Sequence, residues 1–349
     1  MHTLRMGLSI ATLLWTMQAL GQSFQSVSPV RLPARLERYL TTVVHTVSSE
    51  RKLLLDGSPI TKFLDTDPSR EVSVFGAIWI NASPHRYVET VKDIENFERG
   101  EMFMITKRIS APPKVDDFAD WQLPKEDFTD LRTCRVGKCE LKLSRQTIEK
   151  LRAEVDWTKP TAKAAVEDVL RQLAYGYVTG YLENGNRALA VYLDSAKPTL
   201  VGTEFESMID RMPTLTEYQP ELRRYLLDFP EATFPDSTNF LYWQVTQFGL
   251  KPTMRISHLV IRESAEETVV ASKMLYASHY FWTALELRVL VSDPSRGTGF
   301  WFVTVNSSRS DGLSGFFGRL IRGRIRQEVQ KGVLEYLTET KKKLEQQGR

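Results

Sequence analysis

The chain has little cysteine: two in 349 residues, Cys134 and Cys139. It carries little net charge, since 46 basic residues against 43 acidic ones leave +3. That balance is too even for a chain built mainly to hold nucleic acid. It lacks any run of roughly 18 uninterrupted apolar residues, which excludes a spanning helix beyond N-terminal anchoring. No segment repeats at a fixed period and no low-complexity tract occurs. Phosphate-cradling P-loops and Gly-x-Gly-x-x-Gly turns are absent. The stretch Gly312-Leu313-Ser314-Gly315 fails as a nucleophile elbow because position 316 is Phe. Neither cysteine nor histidine has a second ligand at metal spacing. No catalytic residue, metal or cofactor is therefore assigned. What is present is a globular composition, with 42% apolar and 10% aromatic residues. That is enough for a large core.

Residues 1–21 read as an export signal. Arg5 supplies the positive region, and Met6 to Leu20 is mostly apolar. Ala19-Leu20-Gly21 suits cleavage before Gln22. An uncleaved anchor or a buried helix is the alternative, but Gly7, Ser9, Thr12, Thr16 and Gln18 make a poor anchor. The expected location is periplasmic or secreted, an oxidising setting for the cysteines. They flank Arg135-Val136-Gly137-Lys138, and Gly137 can take a left-handed turn. Two strands joined there would bring Cys134 and Cys139 into a small disulfide.

Periodicity divides the remainder into a helical lead-in over 22–70, a mixed region over 71–143, a helical insertion over 144–235, and strands plus a long helix over 236–349. One helix is expected within Val30 to Leu55. In Val72 to Ile80, Val72, Val74, Gly76, Ile78 and Ile80 fall on one face, and Ser73, Phe75, Ala77 and Trp79 on the other. Ser83 and Pro84 then suit an N-cap and first helical turn. Ser144 caps another helix, Pro160 opens a longer one through Tyr181, and two shorter helices follow. Strands return at Phe240 to Phe248 and Thr253 to Arg262, with Met254, Ile256, His258 and Val260 on one face. Val269 to Val291 forms one long bent strand or two, and Gly299 to Asn306 is the last strand. An amphipathic helix closes the chain through Leu313, Phe317, Leu320, Ile321, Ile325, Val329, Val333 and Leu337.

Two stretches together resemble the START-like helix-grip superfamily of hydrophobic-ligand binders. One is the strand from Val74 through the Asn81-Ala82-Ser83-Pro84 corner, with its helix ending in Asp93-Ile94-Glu95-Asn96-Phe97. The other is the antiparallel order from Thr253 to Asn306 followed by the long helix from Asp311. The likeness spans about residues 71–109 and 252–344. It implies an α+β fold in which a curved antiparallel sheet grips the C-terminal helix, with a helical insertion. It also implies an apolar cavity that takes a lipid or other hydrophobic small molecule. Some members are cyclases or hydrolases, so fold alone leaves the chemistry open.

Candidate cavity residues are Tyr276, Tyr280, Trp282, Trp301, His258, His279, Phe317 and Leu320, each of which reads equally as core. The expectation puts Tyr276, Tyr280 and Trp282 on one strand face. His258 and His279 read as structural histidines, or as polar or acid/base groups inside the cavity. Phe316, with Arg319, Arg322 and Arg324, would suit peripheral contact with an anionic membrane. A solvated face is the alternative. The reading is a non-catalytic exported binder. The alternatives are a cyclase- or hydrolase-like enzyme on the same scaffold, or an envelope interaction protein docking through residues 144–228.

Overall fold

The computed structural model describes residues 31–248, 251–311 and 315–346, without the side chains of 248, 315–322, 324 and 325. The export signal lies outside the described residues. The elements are α1 (Ala34–Thr42), α2 (Ser48–Leu55), β1 (Ile60–Phe63), β2 (Glu71–Ile80), α3 (Pro84–Lys92), α4 (Ile94–Phe97), β3 (Phe103–Arg108), α5 (Lys125–Leu131), α6 (Arg145–Glu154), α7 (Ala162–Asn184), β4 (Val191–Tyr192), β5 (Thr199–Leu200), α8 (Val201–Ile209), α9 (Pro220–Asp228), β6 (Ser237–Phe248), β7 (Lys251–Glu263), β8 (Glu267–Ala277), β9 (Phe281–Ser292), β10 (Phe300–Ser310) and α10 (Gly315–Gln346). The fold is α+β. Eight strands form one antiparallel sheet in the order β1-β2-β10-β9-β8-β7-β6-β3, and the sheet is not closed.

The period-two alternation in β2 decides which layer each residue meets. Val74, Ile78 and Ile80 face α3, α4 and α10 through Tyr87, Val88, Val333 and Leu337. Phe75, Ala77 and Trp79 face the opposite layer, where Leu36, Tyr39, Phe205 and Leu222 cover them. Further along that second face, Met254 and Ile256 meet α6 and α7 through Ile148, Leu151 and Val178. Both faces are thus apolar because both are covered. Ser83 Oγ accepts from the Arg86 N–H with Pro84 at the first turn, and Ser144 Oγ accepts from the Thr147 N–H, so both expected caps form.

The 32-residue α10 spans about 48 Å at 1.5 Å per residue. Its later turns lie directly on β2. A Cβ at Gly76 would stand 2.7 Å from Val333 Cγ1 and 3.0 Å from Leu337 Cδ1, so glycine permits the close approach. Lys341 Nζ donates to the Trp79 carbonyl at 2.8 Å, and Asn81 N–H donates to Glu345 at 2.8 Å. This half of the helix packs tightly on β2.

Several elements differ from the sequence expectation. The single lead-in helix is two, α1 and α2, because the chain turns at His45 (φ +54°). Lys62 Nζ holds the His45 carbonyl, and Glu50 accepts from the Val47 N–H, so the turn carries its own hydrogen bonds. β1 had no periodic signal of its own, being ordered by pairing with β2. The apolar run over 269–291 is two strands. Its turn at Ser278–Tyr280 (φ +61° at Tyr280) separates Tyr276 from Trp282, so the three aromatics do not share one strand face. Cys134 and Cys139 are bonded, but only an isolated Arg135–Lys138 bridge joins their segments, not two strands. Gly137 there has φ +84°.

Candidate functional site

Charged side chains alternate with leucines on the central strands, and the alternation turns them toward the α10 side of the sheet. Glu286 and Arg288 come from β9, Arg255 and Ser257 from β7, Ser272 from β8, and Tyr242 and Gln244 from β6. Register sets Glu286 opposite Ser272, Arg255 opposite Gln244, and Ser257 opposite Met274. Glu98, just beyond α4, adds a second carboxylate. Glu286 accepts from Arg255 Nη2 at 3.1 Å and from Arg288 Nη2 at 2.9 Å. Gln244 Nε2 donates to Glu98 at 2.7 Å, and Arg288 Nη2 lies 3.6 Å from the same carboxylate. Arg288 also stands over the Tyr336 ring of α10 at 5.6 Å.

The two carboxylates respond differently to this setting. Burial opposes charge on Glu286, but Arg255 and Arg288 outweigh it and hold the carboxyl below its usual range. Burial and the adjacent Glu286 hold Glu98 above the usual range despite the same arginines. Donors remain in excess. Arg288 Nε and Nη1, Arg255 Nε and Ser257 Oγ are buried with no hydrogen-bond partner. Such groups each cost about 1–3 kcal/mol unless something supplies an acceptor. Beside them lies an apolar patch of Met274, Ala277 and Ala284 with Phe281. Arg255 and Glu286 sit on inner strands, yet 14% and 23% of their side chains remain accessible.

The opposite face carries a second polar cluster, and there every group is matched. Lys273 is fully buried opposite His258. Its Nζ donates to the Leu226 carbonyl at 3.0 Å and to Asn186 Oδ1, and reaches Tyr181 Oη at 3.4 Å. Tyr181 O–H donates to His258 Nδ1 at 3.0 Å, and His258 Nε2–H donates to Asn239 Oδ1 at 3.2 Å. Burial, and then Lys273, pull the imidazole down to about 3, so it is neutral at ordinary pH. Among the described residues no carboxylate forms an ion pair with Lys273, and burial pulls the ammonium down to about 7. This chain of hydrogen bonds fastens α7 and α9 to the sheet.

A stability measurement tests it. The unfolded chain holds the Lys273 proton up to about pH 10.4, whereas the folded chain releases it near 7. Between those values the unfolded state binds more protons, so stability rises with pH. Relative to Lys273→Met, the wild-type protein should gain about 3 kcal/mol from pH 7 to 9.5 in urea unfolding. Parallel pH profiles for the two proteins would show that Lys273 is not depressed.

The sequence candidates are dispersed. Tyr276 packs edge-on against Tyr177 and Tyr192, on the α7 side. Trp301 also faces away from α10, fully buried, with Nε1–H donating to Asp293 at 2.9 Å and its ring against Trp79. Tyr280 stands in the turn, where its Oη accepts from the Lys251 N–H at 2.8 Å. Trp282 is half-buried at the start of β9. His279 contacts Asp127 at 3.1 Å through Nε2 and the Glu140 carbonyl at 3.2 Å through Nδ1. The side chains of Phe316, Phe317, Arg319, Leu320, Arg322 and Arg324 lie outside the described residues. Among the described residues no group of three or more His, Cys, Asp or Glu could hold a metal. No described helix is long and apolar enough to cross a membrane.

Sequence reasoning missed Arg255, Glu286, Arg288 and Glu98. The signal available was Leu285-Glu286-Leu287-Arg288-Val289, whose alternation reads as a half-solvated strand. Comparison with family models and with curated proteins finds no match.

Proposed function

We propose that this chain is an exported binding protein, START-like in plan, that holds a lipid or other hydrophobic small molecule over the central strands, on the α10 side of the sheet. The observation that carries the reading is the donor-rich cluster of buried Arg288 with the half-buried Arg255 and Glu286, lying beside the apolar patch of Met274, Ala277 and Ala284. A mostly apolar wall with a few convergent polar groups is the usual make-up of a small-molecule site. The order β2-β10-β9-β8-β7-β6-β3, with α3 and α4 joining β2 to β3 in the chain and α10 closing it, supports the helix-grip plan. The Cys134–Cys139 disulfide is compatible with export. The aromatics that the sequence leaves open as core or cavity wall contribute less, since Tyr276 and Trp301 face the other layer. Membrane contact by Phe316 and the following arginines is a further proposal resting on sequence.

Native mass spectrometry after expression with the full leader tests both parts. A mature N-terminus at Gln22 and an extractable apolar molecule at near-equal stoichiometry are expected. Retention of Met1, or protein that carries no apolar molecule and takes up no N-phenyl-1-naphthylamine, would overturn export and binding respectively.

A further inference from the structure

We infer that the bound molecule carries an oxyanion head, a carboxylate or phosphate on a single apolar chain, seated against Arg288 and Arg255. The inference deepens the binding reading above and rests on it.

Three features of the cluster converge. First, the unmet groups there are donors: Arg288 Nε and Nη1, Arg255 Nε, and the Ser257 hydroxyl. Guanidinium nitrogens can only donate, so the missing partner must supply acceptor atoms. An oxyanion offers two or three such oxygens, where an alcohol offers one that also brings its own hydrogen. Second, Arg288 is almost wholly buried, with 4% of its side chain accessible, so bulk water does not supply those acceptors freely. Third, the internal carboxylates do not exhaust the arginines. Glu286 takes one nitrogen from each, and Glu98 already accepts from Gln244. The rise in Glu98 from burial and from Glu286 also lowers the negative charge an arriving anion would meet.

The apolar part of the molecule has a place in register with the head. Met274 lies opposite Ser257, and Ala277 opposite Arg255, so the patch begins one strand away from the unmet donors. The patch is itself buried, with Met274, Ala277 and Ala284 at 1%, 0% and 8% accessibility. A head at Arg288 and a chain over Met274, Ala277 and Ala284 would use the cluster and the patch together.

Displacement of the neutral dye N-phenyl-1-naphthylamine from the full-length mature protein tests this, with dodecanoate, dodecyl phosphate and dodecanol as competitors. We expect dodecanoate or dodecyl phosphate to displace the dye at about tenfold lower concentration than dodecanol, as charge-assisted hydrogen bonds would give. The better of the two acids tells a fatty-acid source from a phospholipid-like one. In Arg288→Met the dye is expected to bind still, with the acid-to-alcohol advantage reduced to near unity. Should Arg288→Met fail to fold by circular dichroism, Arg255→Met and the wild-type ratio decide. Equal displacement by acid and alcohol in the wild-type protein would overturn the oxyanion head and leave the binding reading standing. Absence of dye uptake by the wild-type protein would overturn both.

Discussion

Gly185→Ala is expected to destabilise the protein by at least about 3 kcal/mol, seen as a fall of several degrees in Tm or as loss of soluble protein. Gly185 ends α7 at φ +55°, a backbone region that L side chains rarely adopt. A Cβ there would also overlap the Phe229 carbonyl, which is backbone and cannot swing aside. The segment it would have to displace is anchored. Asn186 Nδ2 donates to the Leu226 and Leu227 carbonyls at 3.2 and 2.8 Å. The Phe229 ring stacks on Tyr181 at 5.2 Å and meets His258 at 4.7 Å. Moving the chain to admit one methyl would therefore loosen the whole attachment of α7 and α9. An unchanged Tm would mean that the segment yields more readily than its contacts imply.

Arg309→Met is expected to cost about 3–5 kcal/mol, because it strands the buried Glu71 carboxylate. Arg309 on β10 donates through Nε to Glu71 and through Nη1 to Glu204 of α8, each at 3.0 Å, and through Nη2 to the Ser207 carbonyl. It is 1% accessible and Glu71 is 2% accessible. Burial already holds the Glu71 carboxyl above its usual range, with Arg309 the chief opposing influence. Without that guanidinium the carboxyl should rise further. A group whose folded pKa is raised favours the fold below its unfolded value and loses that advantage as pH climbs through the folded value. The deficit of Arg309→Met should accordingly be larger at pH 8 than at pH 5. Adding Glu71→Gln should restore a substantial part of it. Equal losses at both pH values, with no rescue, would assign the effect to lost packing instead.

Both predictions concern the joint between the helical block over 144–235 and the sheet. Within its apolar contacts that joint carries polar fastenings: Arg309 with Glu204, Lys273 with Asn186, and Lys142 with Asp194. The other side of the sheet differs. There α10 makes an apolar contact along its later turns, and the central strands on that face, Arg288 beneath Tyr336 among them, present donors without acceptors. One polar cluster is complete and serves as a fastening. The other is incomplete and is where a ligand reading has physical content.

Much of the framework was legible because it follows from local rules. Alternation placed Val74 and Ile78 against Phe75 and Trp79, and the same rule sorted Phe300 and Phe302 from Trp301 and Val303. Ser83-Pro84 and Ser144 were legible as caps because capping involves only the next few residues. The disulfide followed from two cysteines about a glycine turn. The site was not legible in the same way. A strand written Leu-Glu-Leu-Arg has the same pattern whether its charged face meets water or lies under a helix from the far end of the chain. Periodicity assigns a residue to a face, but the cover on that face comes from distant segments. Only the assembled layers turned Arg288 from a surface charge into a buried one, left Arg255 and Glu286 half-buried beside it, and turned Tyr276 from a pocket wall into a contact with α7. By itself the sequence determined faces, caps and element types; tertiary structure alone decided burial, and with it which polar groups were left without partners.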